Sequence, residues 1–308
     1  MVQSQGRSIS GAERLSATSM KSQFVLIVVF TCINCCWGAQ KFSAAGMVLQ
    51  VDSFHHTIRV SCQPIPGYMG AGRLRASVRD AKELVGLNAG AIAEFTLVVD
   101  KKSLYAEGIR IREFEDAGQQ ASAARRLRIV DDLDTNQRSA PRMLRIGESV
   151  PHIVLTDQSR NSIDVGGFAG QVVVMNFMYT RCPLPDYCFR LSNNLGNVQA
   201  RFKKQMGKKL ILLSITFDPI HDGPEVLADY ARTWKAEDSW HFLTGPVSTD
   251  RRLCDLFGVS AWPEEAGMVH SLHTVVIDRE GKLAANVEGN RFTGQQLGDL
   301  VQTILEQR

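Results

Sequence analysis

Residues 171–177 read Gln-Val-Val-Val-Met-Asn-Phe, an apolar run interrupted only by Asn176. It lacks the alternation of a half-exposed strand and predicts a strand buried on both faces, as inside a parallel sheet. A second run of this kind, KLILLSITF, occupies 209–217. Between them, 189–206 has the spacing of an amphipathic helix. Downstream, 224–234 predicts a helix with Pro224 in its first turn, and 249–257 a helix closed by Gly258. Residues 273–278 and 283–288 flank Arg279-Glu280-Gly281-Lys282 and read as a hairpin. Thr293 opens a last helix with Gln296 three residues on, a capping box. From Ile146 the chain therefore alternates strands and helices, an α/β layer architecture.

The chain has 308 residues, which suggests about two domains. Its 44% hydrophobic and 22% charged residues exclude a disordered chain, a collagen and a multi-span membrane protein. A net charge of +3, dispersed and without an aromatic platform, gives no argument for nucleic acid. Residues 46–114 predict a small all-β barrel, with strands at 47–51, 57–61, 92–100 and 105–111 separated by turn chemistry such as Pro64-Ile65-Pro66-Gly67. Residues 115–145 read as a solvated linker carrying Arg125, Arg126 and Arg128, then Asp131, Asp132 and Asp134.

Residues 1–45 predict an export segment. Lys21 precedes an apolar run over 24–37, too short for the ~20 residues of a spanning helix, and small residues follow. Met20-Lys21 with that run would make an ordinary signal by itself. Cleavage after Gly38 or Ala39, or at Ser43-Ala44-Ala45, competes with an uncleaved anchor. Either way the protein faces the periplasm. Cys32, Cys35 and Cys36 lack the lead-in of a lipoprotein signal.

Export would leave Cys62, Cys182, Cys188 and Cys254, too few for a disulfide scaffold. Cys254 reads as a core thiol on a helix. Cys182 and Cys188 are different: they lie on Thr180-Arg181-Cys182-Pro183-Leu184-Pro185-Asp186-Tyr187-Cys188, between a buried strand and a helix. Sites favour that end of such strands, and a helix N-terminus favours thiolate over thiol. Two thiols on a loop stiffened by Pro183 and Pro185 can close a disulfide or chelate one soft ion. The element order is that of a thioredoxin-like fold. In it the strand near His270 and His273 lies beside the cysteine loop. A thioredoxin places a cis-Pro there, and residues 268–273 contain none. Either imidazole beside two thiolates suits copper better than zinc.

Residues 146–308 resemble the Sco/SenC family in three blocks: FMYTRCPLPDYC (177–188), ITFDPIHDGPEVLADYA (215–231) and HSLHTVVIDREGKL (270–283). The resemblance implies a thioredoxin fold that binds copper, Cu(I) or Cu(II), through two cysteines and a histidine. It also implies a role in assembling the copper centre of cytochrome c oxidase, and thiol–disulfide chemistry. The ligands fall on Cys182, Cys188 and His270, whereas His273 matches none. Asp218 becomes a group supporting the site or docking a partner, and Asp222 a helix cap. The partner would be a copper-receiving protein such as an oxidase subunit, or a thiol protein for which Cys182 and Cys188 act as a redox pair. The family loop is CxxxC, and here five residues intervene. More weakly, VSCQPIPGYMGAGRLRASV (60–78) and GLNAGAIAEFTLVV (86–99) resemble the CusF-type copper-binding barrel. Cys62 stands at its His position and Met69 near its Trp, but Gly72 and Leu74 replace its two Met. That leaves Cys62 and Met69 as a weak second metal site.

Other readings fit less well. Thr180-Arg181-Cys182 is one residue short of the Thr-x-x-Cys of peroxidatic sites. His55 and His56 are adjacent and would point to opposite faces of a strand.

Overall fold

The computed structural model describes residues 39–100, 103–112, 142–264 and 267–307. The expected export segment and most of the expected linker lie outside them. Among the described residues no helix is long and apolar enough to cross a membrane.

The first five strands are β1 (Gln40–Asp52), β2 (Thr57–Cys62), β3 (Gly72–Val78), β4 (Ile92–Asp100) and β5 (Ser103–Ile111). They close into a barrel in the order β1-β2-β3-β5-β4. β1 starts at Gln40, ahead of the expected boundary at 46, because 40–47 pair with β4 before the strand bends to pair with β2. Ser43, Ala44 and Ala45, one of the expected cleavage sites, are strand residues paired with Thr96, Phe95 and Glu94 of β4. Gly46 is the corner, paired with both Ala93 and Cys62, and a Cβ there would sit 2.4 Å from the Ser61 carbonyl oxygen. β3 was not among the expected strands, although Leu74, Ala76 and Val78 point inward and Arg73, Arg75 and Ser77 outward with period two.

The second region is a seven-stranded sheet. Its strands are β6 (Val154–Asp157), β7 (Ser162–Asp164), β8 (Val172–Met178), β9 (Leu210–Thr216), β10 (Trp240–Thr244), β13 (His273–Ile277) and β14 (Leu283–Glu288). They are ordered β14-β13-β8-β9-β10-β6-β7, with β8, β9 and β10 parallel and the other pairs antiparallel. β11 (Ala261–Glu264) and β12 (Gly267–His270) form a separate two-stranded arm. Every residue of β8 and β9 is buried, as their apolar runs required. Each Val, Leu or Ile there contributes about 1.5–3 kcal/mol relative to an exposed position. Asn176, the polar interruption in β8, accepts from Ser214 Oγ at 2.7 Å, which in turn accepts from Trp240 Nε1 at 3.0 Å. A short polar chain therefore ties β8, β9 and β10 together inside the core.

Four helices complete the layer: α1 (Arg190–Arg201), α2 (Pro224–Thr233), α3 (Val247–Phe257) and α4 (Gly294–Glu306). α1 stops five residues short of the expected 206, because Phe202 leaves the helical region. α3 ends on Gly258 in the left-handed conformation, and Cys254 is buried on it as expected. α4 carries the Thr293–Gln296 capping box. Leu144, at the end of the expected linker, already donates its N–H to the Leu256 carbonyl and packs on the layer core.

β1 and β2 rest on α4. Ser61 Oγ donates to Asp299 Oδ2 at 2.7 Å, Gln296 Nε2 donates to the Ser61 carbonyl at 2.9 Å, and Arg201 binds Asp299 Oδ1 at 2.8 Å. These buried polar contacts, satisfied on both sides, fix the register of barrel on layer.

Candidate metal centre

The parallel strands β8 and β9 end side by side, so Tyr179 and Phe217 emerge at the same rim with ring centroids 5.3 Å apart. After Thr180 the chain crosses the rim as the cysteine loop. A wide turn over Pro185–Phe189, with Tyr187 outside helical geometry, absorbs the extra residues before α1 begins. Asn290 Nδ2 donates to the Asp186 carbonyl and pins the loop from the far side.

His270 arrives from the opposite direction as the last residue of β12, opposite Ala261 of β11. At the base of this arm the Ser271 N–H donates to the Ser260 carbonyl at 2.8 Å, and the Ser260 N–H to Ser271 Oγ at 3.0 Å. The chain then enters β13, which pairs with β8. That pairing is what brings His270 to the cysteine loop. The ring sits among Phe217, Tyr179 and Tyr187, with centroids at 4.6, 5.7 and 6.3 Å. Its Nδ1 lies 3.0 Å from the Ser271 carbonyl oxygen, which can only accept, so Nδ1 carries a proton. Nε2 faces the thiols, 3.6 Å from Cys188 Sγ.

The donor atoms of Cys182, Cys188 and His270 all lie within 4.8 Å of one another, the one such group of three or more among the described residues. Cys188 and His270 are buried, and Cys182 is partly exposed. The thiols differ in character. A hydrogen bond from Cys188 holds the Cys182 thiol well below its ordinary range, against the opposing effect of burial. The Cys188 thiol is pushed well above that range by the same hydrogen bond and by burial. Burial, with the Cys182 charge adding, also raises the Tyr179 phenol to about 12. Two sulfurs and one imidazole nitrogen are a soft donor set, with aromatic rings packed on its His270 side and Cys182 at its open edge.

Two carboxylates brace the loop. Asp222, fully buried, accepts from the Thr180 N–H at 3.0 Å, from Thr180 Oγ1 at 2.5 Å and from Thr216 Oγ1 at 2.6 Å. It is not the expected helix cap: Gly223 occupies that position and α2 has no side-chain cap. Its oxygens are taken by the base of the cysteine loop instead. Asp218 binds Arg181 at 2.6 Å and His221 at 2.8 Å, and takes no place among the three donors. Sequence reasoning missed Arg181, His221, Thr180 and Thr216 as partners of these carboxylates. It also missed the aromatic wall, whose signal was an aromatic residue directly after each buried strand run.

His273 is buried in β13 with Nδ1 2.9 Å from Asn286 Oδ1, outside the donor group, as expected. Cys62 and Met69, the weak second site expected from the sequence, both pack in the barrel interior. Cys62 is a core residue of the barrel, its thiol pushed up to about 12 by burial. Met69 packs, partly buried, against the same core. No His, Cys, Asp or Glu group of three gathers around Cys62 among the described residues.

The fold and site together define a thioredoxin-like layer carrying a two-thiol, one-imidazole centre at the ends of its parallel strands. Residues 147–305 match the SCO1/SenC family, and the chain belongs to it. The SCO2-like protein of Rickettsia typhi is 27% identical over 146 residues, which are 45% of this chain and 68% of that protein. The copper-bound crystal structure of yeast Sco1 is 22% identical and covers 54% of this chain and 91% of its own, at a TM-score of 0.45. BsSco, described with a disulfide switch and as a member of the Sco family of cytochrome c oxidase assembly proteins, is 19% identical. It covers 54% of this chain and 99% of its own at a TM-score of 0.46.

Proposed function

We propose that this chain is an exported copper chaperone. It takes copper as cargo on Cys182, Cys188 and His270 and passes it to a cuproprotein such as an oxidase subunit. The observation that carries this reading is the convergence of three soft donor atoms from two distant chain segments within 4.8 Å. Cys182 is the partly exposed donor and the one through which a recipient's ligand would approach. Cys188 and His270, walled by aromatic rings, hold the ion from behind. Asp218 keeps Arg181 folded over the loop base, beside Cys182, and acts by positioning. Export rests on the sequence of 21–39, and copper is the ion bound in the yeast relative.

The test is copper content of the reduced full chain beside the Cys182→Ser/Cys188→Ser variant. About one copper per chain, lost in the variant, is the expected result. A copper that survives in the variant would place it on Cys62 and Met69. No tight copper in the wild type would overturn the chaperone reading.

The asymmetry of the thiols favours a second reading, thiol–disulfide exchange. The Cys182 thiolate would attack a partner disulfide, forming a mixed disulfide and releasing one partner thiolate. Cys188, on losing its proton, would then attack Cys182 Sγ and release the second. The partner is reduced by two electrons, and the Cys182–Cys188 pair is oxidised by two. Rapid reduction of a test disulfide by a chain that retains no copper would select this reading.

A further inference from the structure

The barrel carries a row of cations that the layer domain does not use. Arg59 of β2 and Arg75 of β3 stand directly opposite each other, and Arg73 lies two residues from Arg75 on the same face. All three are exposed, and among the described residues none makes an ion pair or a side-chain hydrogen bond. Like charges directly opposite on antiparallel strands destabilise the sheet. No in-register neighbour relieves them. Gln50 of β1 flanks Arg59, Ser61 faces Arg73, and Thr57 and Ser77 complete the face. The nearby carboxylate that contacts Ser61, Asp299, is already taken by Arg201 and Ser61.

We infer that this sheet face docks an extended acidic segment of a partner protein. Residues two apart on a strand repeat about every 6.5–7 Å on one face. An extended peptide with Asp or Glu at alternate positions therefore presents carboxylates at the spacing of Arg73 and Arg75. Guanidinium forks bind carboxylates in bidentate fashion, and Arg59 widens the row to take a neighbouring carboxylate. Gln50, Thr57 and Ser77 beside the row offer further hydrogen bonds, whereas the buried Ser61 hydroxyl is already engaged by Asp299. The strands of the row carry no large apolar side chain on this face; the exposed Phe54 lies beyond it, in the turn between β1 and β2. Docking offsets the repulsion that the free row sustains. The inference is independent of the copper reading, since none of these residues touches the metal centre.

The experiment measures binding of a fluorescent peptide of alternating Glu and Thr to the reduced full chain at low salt. A Gln-Thr peptide and phosphatidylglycerol vesicles serve as comparisons, beside an Arg59→Ser/Arg73→Ser/Arg75→Ser variant. The Glu-Thr peptide is expected to bind at least about tenfold more tightly to the wild type than to the variant, and to release as salt rises. The variant should melt no lower than the wild type and load copper equally. A triple Arg→Lys variant, which keeps the charge and loses the fork, should retain part of the binding. Equal peptide affinity for wild type and triple Ser variant overturns the proposal. So does vesicle binding that the Ser variant loses while the peptide fails to bind.

Discussion

Cys62 in the barrel and Cys188 in the layer are both buried thiols shifted upward, Cys62 by burial alone and Cys188 by its hydrogen bond with Cys182 and then by burial. Only Cys188 has a second thiol and an imidazole in reach. Burial is therefore not what makes a metal centre. Cys62 sits inside a closed barrel, where each inward position meets side chains of the same small core. Cys188 sits where two parallel strands end and an arm from elsewhere in the chain returns. Open strand ends allow distant segments to converge, whereas a closed barrel interior of this size is filled by packing.

Several variants would break or sharpen that contrast. His270→Ala should have the largest effect, weakening copper binding by about 100-fold or more in a competition titration while sparing reduction of a test disulfide. Unchanged affinity would remove the third donor and make the layer site resemble the barrel site. Asp222→Ala comes next. It orphans three donors at the base of the loop and should cost about 3 kcal/mol in denaturant unfolding, with copper affinity lowered about tenfold. Asp222→Asn, which keeps one acceptor oxygen able to serve two of the three donors, should recover much of both.

A second buried carboxylate supplies the counterpart. Neither oxygen of Asp250 has a hydrogen-bond partner among the described residues, and burial pushes its carboxyl up to about 7, against a smaller pull from the Gly245 backbone. The folded chain thus holds this proton more tightly than the unfolded chain. Stability from this group falls as pH rises from the ordinary carboxylate range to about 7. Asp250→Asn should abolish that fall, melting higher than wild type above neutrality and alike near pH ~4. The smallest effect belongs to Cys62→Ala, expected to cost about 1–2 kcal/mol by leaving a small cavity and to leave copper stoichiometry unchanged. Lost copper there would mean that the barrel holds metal after all.

The layer was legible because its strands are unambiguous: 171–177 and 209–217 admit no exposed face. The cysteine loop was legible from its place between strand and helix. His270 was harder, because the residues alone left it level with His273. The distinction depends on an arm, β11 and β12, that no periodicity announces. β3 was missed although its alternation is plain, because Gly72 and the Arg residues obscure a strand with little apolar content. Asp222 was misread as a cap because Asp before a helix often is one. Its true partners are 42 and 6 residues away, and no local pattern carries that information. The start of β1 was set too late because small residues at 43–45 suit both a cleavage site and a tight barrel corner.

β1 has a consequence for how the molecule comes apart. Met47 and Leu49 belong to the layer core, while Val48 between them belongs to the barrel core. A single strand, by alternation alone, is stitched into two hydrophobic interiors at once. Neither interior can open without pulling a side chain out of the other, so calorimetry should record one shared melting transition. Cutting the backbone between residues 112 and 142 should leave the two pieces bound together, as complementary fragments of one cooperative unit.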